Sequence, residues 1–160
     1  MQTPGYAEAN VREKHPELPM PQVKRWQALW MCRQQILYRA EPVKLWAIID
    51  EAALRAPVEP ELMRGQIRHL IEMCNLPNVS VQVMPTGPGG HAVAGGPITL
   101  LRFPQREFPD VVYLEQLTAA LYPLTRDDLH HYAKVLNRLG IEALPPADSV
   151  EILHPILGQI

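Results

Sequence analysis

The sequence predicts an α+β domain, a small mixed or antiparallel sheet packed by three or more helices. Apolar residues recur at helical spacing near 21–38, 59–75 and 125–139. Strand-like runs fall at 43–49, 79–84, 98–103 and 110–116, and in one of them Val79, Val81 and Val83 alternate with Ser80, Gln82 and Met84, the cleanest period-two signal in the chain. The 17 prolines lie mainly between these segments, so they punctuate the fold rather than interrupt it.

Taken in order, residues 1 to 20 show no sustained period and are expected to run irregularly, with one helical turn near Tyr6 to Val11. From Pro21 to Tyr38, Val23, Trp26, Trp30 and Leu37 fall near helical spacing, and Leu29, Cys32 and Ile36 widen that face into a long, aromatic-rich helix. Val43 to Ile49 reads as a strand with partial cover on its second face. Met63, Ile67, Leu70, Ile71 and Cys74 form one stripe of the next helix, which makes Cys74 a small buried hydrophobe. Two strands follow the loop from Pro85 to Pro97, and Tyr122 ends a short further one. Thr125 and Asp128 have capping-box spacing ahead of a helix lined by Leu129, Tyr132, Ala133, Leu136 and Leu139, and Gly140 fits a left-handed C-cap. A last amphipathic piece, Ala147 to Leu157, is expected to break at Pro155.

One hundred and sixty residues suit a single domain, 1–160, able to bury a sizeable core. A formal net charge of −2 leaves no broad basic surface for phosphates, so direct nucleic-acid binding is not expected. Cys32 and Cys74 lie in no Cys-x-x-Cys or secretory context and read as free thiols of a reducing compartment. The polar N-terminus and the lack of a run of ~20 apolar residues imply a cytoplasmic protein without a membrane span.

The glycine-rich stretch Gly87-Pro88-Gly89-Gly90-His91 is followed by a strand instead of a helix, so it lacks the helix N-terminus that a phosphate cradle requires. A histidine in such a loop titrates near neutral pH and can approach a ligand, which makes His91 the leading titratable candidate. Glu115 is its catalytic companion if the protein is an enzyme, and Asp50 and Glu51 are the other carboxylates weighed for acid–base work against helix capping. Arg102 is read as a cross-strand partner of Glu115 or a ligand's carboxylate anchor. Trp26, Trp30, Trp46, Tyr113 and Tyr122 are core aromatics by default and the lining of an apolar ligand pocket otherwise. Adjacent His130 and His131 diverge on a helix, and no metal or other cofactor is expected. No Gly-x-Ser-x-Gly elbow is present.

Several blocks together resemble one family: Gln2-Thr3-Pro4-x-Tyr6-Ala7, Arg33-Gln34-x-Ile36-Leu37, Leu45-Trp46-Ala47-x-Ile49-Asp50-Glu51, Met63-Arg64-x-Gln66-Ile67, Pro77-Asn78-Val79, the His91 loop, Gly96-Pro97, Val111-Val112-Tyr113-x-Glu115 and the Tyr132 helix. The chain resembles the C-terminal domain of unknown function that follows an XRE-type helix-turn-helix in antitoxin-like regulators of high-GC Gram-positive bacteria. It departs from that pattern in carrying Trp30 in place of an arginine and Val58-Glu59-Pro60 in place of a glycine-containing connection. The resemblance implies a stand-alone relative of a regulator's sensor domain, or one whose helix-turn-helix is encoded upstream of Met1. Such a domain would bind an apolar or amphipathic small molecule or a small partner protein, and is expected to be a homodimer. The alternative expectation is a cofactor-free biosynthetic enzyme, such as a cyclase, folding its substrate in an aromatic-lined pocket.

Overall fold

The structure, a computed structural model, describes residues 1–86, 96–105, 107–116 and 119–160. The described residues confirm the α+β class. They form two small sheets where the sequence suggested one, and the chain divides into two compact units, Met1–Thr86 with Leu144–Ile160, and Gly87–Ala143.

The first unit opens with α1 (Pro4–Lys14), a full helix where an irregular segment was expected. Pro4 sits in the first turn, where its missing N–H costs nothing, and the Thr3 hydroxyl accepts the Tyr6 N–H at 3.4 Å. The helix buries only Ala7 and Val11, side chains too small and few to give a clear period. Buried Gln66 ties the preceding segment down: its Oε1 accepts the Thr3 N–H at 2.8 Å and its Nε2 donates to the Met1 carbonyl at 2.9 Å.

Helix α2 (Met20–Gln34) continues into a 3₁₀ turn over Gln35–Tyr38, within the expected limits. Its packing departs from expectation, because Val23 in the helix and Leu37 in the turn are buried while Trp26, Leu29, Cys32 and Ile36 are exposed.

Strand β1 (Leu45–Asp50) pairs in parallel with β2 (Val79–Met84), joined by α3 (Glu51–Leu54) and α4 (Pro60–Met73). Parallel strands need such a crossover. Ile67, Leu70, Val83, Leu153 and Ile156 form one apolar cluster with Leu54 and Met63, and Leu37, Met73, Val79 and Val81 form another. Cys74 is only half-buried beside the latter. Helix α6 (Pro146–Gln159) runs unbroken through Pro155, contrary to the expected interruption. Pro155 is exposed, so the carbonyl it leaves unbonded lies where water reaches it.

In the second unit, β3 (Ile98–Leu101), β4 (Val111–Glu115) and β5 (Ala120–Leu121) form an antiparallel sheet in the order β3-β4-β5. Gly96, at φ +96°, leads into β3 in a conformation that L side chains rarely adopt. Helix α5 (Arg126–Glu142) packs on β4 and starts as its capping residues imply, with the Thr125 hydroxyl accepting the Asp128 N–H at 3.1 Å. Gly140 is not the C-cap: the helix passes through it, and Ala143 ends the run in extended backbone.

Candidate interaction surface

The first unit holds all three tryptophans. Trp26 lies on α2 with 42 % of its surface exposed and its ring 5.4 Å from that of His15. Trp30, one turn on, is partly buried. Trp46 projects from β1, 45 % exposed, and donates Nε1–H to Gln82 Oε1 at 2.6 Å, while Gln82 Nε2 donates to the Leu144 carbonyl at 2.9 Å. Trp46 is thus fixed by a polar bridge within its own sheet.

Two shallow cavities of about 220 and 180 Å³ occur in this unit, and no tryptophan lines either. Both fall short of the ~300–1,000 Å³ of a typical small-molecule site. The larger lies between β2 and the start of α6, lined by Cys74, Ser80, Ala147 and Val150. The smaller is bordered by Thr3, Gln34, Tyr38 and His69. His69 Nε2 is buried there with no hydrogen-bond partner among the described residues. Burial pushes the His69 pKa down, the chain's first ammonium adds to this, and Glu72 opposes it. No spacing in the sequence marks His69; only the packing of α4 against the chain's first residues does.

Around α2, Trp26, Leu29, Cys32 and Ile36 follow one another at helical spacing on a single exposed flank. The helix contains no acidic residue; Lys24 is engaged by Glu8 at 2.6 Å, whereas Arg25 and Arg33 lie exposed beside the apolar flank. With Leu29 57 % exposed, this is an apolar strip with cationic margins. Isolated exposed apolar residues are ordinary on protein surfaces, whereas large contiguous apolar patches are characteristic of interaction sites.

Two of the carboxylates weighed for acid–base work, Asp50 and Glu51, make local structural contacts. Asp50 caps α3 by accepting the Ala52 N–H at 2.8 Å. Glu51 accepts the Thr86 N–H at 3.0 Å and Arg55 Nε–H at 2.8 Å, and these bonds, the Thr86 one foremost, hold its carboxyl below the usual range.

In the second unit, Arg102 pairs with Asp110 at 3.3 Å, not with Glu115. The β3–β4 register explains this, since Leu101 lies opposite Val111 and Glu115 lies opposite Ala120 on β5. Tyr113 and Tyr122 do come together, their rings 5.5 Å apart and tilted by 53°. His91 and the glycines at 87, 89 and 90 lie outside the described residues. Among those described, no three His, Cys, Asp or Glu side chains are grouped to hold a metal, and no helix is long and apolar enough to cross a membrane.

These features define an α+β domain with an exposed apolar helix flank. The chain belongs to the DUF5753 family, a domain of unknown function, which it matches over residues 1–155. No curated protein and no solved structure proved similar to it.

Proposed function

We propose that this chain is an interaction module, a relative of the sensor domain of XRE-type antitoxin-like regulators that binds a small partner protein through the outer flank of α2. The observation that carries this reading is the exposure of Trp26, Leu29 and Ile36 beside Arg25 and Arg33. An apolar strip with cationic margins suits an amphipathic helix with acidic edges laid along it. The two cavities, at about 220 and 180 Å³, are small for an apolar small-molecule site, which supports a protein partner over a small-molecule ligand.

Native mass spectrometry of the chain purified from its own host tests the reading. A stoichiometric protein partner is expected, lost on Leu29→Asp with the thermal midpoint essentially unchanged, because Leu29 packs into no core cluster. A bound small molecule without a protein partner, or a partner retained by the variant, overturns it.

A further inference from the structure

The two edges of the β1–β2 sheet are treated differently. The Leu45 N–H donates to the Asn78 carbonyl at 2.8 Å, so residues 45, 47 and 49 turn their main-chain groups toward β2, and Trp46, Ile48 and Asp50 turn theirs away. On the far side of β2 the edge is closed. The Leu144 N–H donates to the Val83 carbonyl at 2.9 Å, and the Val83 N–H donates to Ser149 Oγ at 2.9 Å. On the far side of β1 no described residue pairs with Trp46 or Ile48. Parallel sheets are ordinarily covered, and open strand edges are templates for another strand.

We propose that two copies of this chain join through these β1 edges, antiparallel about a two-fold axis at Ala47, giving a continuous β2–β1–β1–β2 sheet. A two-fold edge contact must be antiparallel and self-complementary, and the outward groups at 46, 48 and 50 restrict the register to even residues facing even residues. With the axis at Ala47, Trp46 faces Ile48 of the second copy and Lys44 faces its Asp50, each pair occurring twice. Shifting one way sets Trp46 against Asp50; shifting the other sets Asp50 against Pro42, which has no N–H to give. Only the Ala47 register matches opposite charges and apolar side chains together. Lys44 and Asp50 are both exposed, and neither enters an ion pair among the described residues. Charges of one sign would suffice to guard an edge against pairing; opposite signs at the two ends of one short strand select an antiparallel copy of itself.

The test is sedimentation equilibrium of the whole chain across the micromolar range, with far-UV circular dichroism to confirm folding. The wild type is expected to be a dimer. Lys44→Asp and Asp50→Lys each create two like-charge pairs and are expected to raise the dissociation constant about tenfold or more. Combining them restores opposite pairing and the dimer. Because Asp50 also caps α3, Lys44→Asp alone decides the matter if Asp50→Lys is not native by circular dichroism. Leu29→Asp leaves this dimer intact, which separates it from partner binding at α2. A monomeric wild type, a dimer indifferent to Lys44→Asp, a folded double variant that stays monomeric, or a dimer dissolved by Leu29→Asp overturns the proposal.

Discussion

Ser149 is fully buried, and its hydroxyl serves two main-chain groups, accepting the Val83 N–H and donating to the Leu144 carbonyl at 3.1 Å. Removing it leaves a strand N–H without a partner in an apolar setting, which costs more than the bond itself contributes. Ser149→Ala is therefore expected to destabilise the fold by about 1–3 kcal/mol in urea denaturation. His69 gives a pH-dependent counterpart. Burial lowers its folded pKa, so as pH falls through the ordinary histidine value of about 6.5 the unfolded chain takes up a proton that the folded chain refuses. Its contribution to stability is whole above that pH and declines below it. Urea midpoints measured from pH 7.5 to 5.5 are expected to fall more steeply for the wild type than for His69→Asn; parallel slopes would show that His69 is protonated in the fold. None of this is readable in sequence, where Ser149 is one polar residue of the amphipathic piece from Ala147 to Leu157 and His69 has no ligand spacing.

At the scale of elements, what the sequence made legible depended on how strongly each element buries itself. Strand β2 matches its alternating run from Val79 to Met84, and α4 matches its stripe, because both contribute to apolar clusters. Helix α1 was illegible for the opposite reason, its buried side chains being only Ala7 and Val11. The limits of α2 were legible but its role was not: periodicity reports that apolar residues share a face, and cannot say whether that face meets the core or another molecule. Proline signals misled at α6, where the helix tolerates Pro155 because the position is exposed. A proline inside a helix still costs about 3 kcal/mol relative to alanine. Pro155→Ala is expected to stabilise the chain by about 1–3 kcal/mol, the lower figure reflecting the looser unfolded state, measurable as a raised urea midpoint. An unchanged midpoint would mean that the native helix is locally adapted to the ring.

For the molecule as a whole, charge decides what kind of partner is available. The net charge of −2 conceals an uneven distribution, since α2 carries three cations and no anion. Three cations on one helix resemble the start of a phosphate-binding face, yet Lys24 is already neutralised by Glu8, and the two exposed arginines flank an apolar strip rather than a polar groove. Duplex binding draws its affinity from many released counterions, and two contacts supply little of it. The apolar strip gains only from an apolar counterpart, which the edge of a duplex does not present. This chain is therefore expected to show no binding to a 30-base-pair duplex at about 10 μM protein and 150 mM salt in fluorescence anisotropy, conditions under which non-specific DNA-binding proteins begin to saturate. Salt-sensitive binding that Arg25→Ala and Arg33→Ala abolish would make α2 a nucleic-acid surface; its absence, with Leu29→Asp still disrupting a protein complex, would leave the arginines as the charged margin of a protein interface.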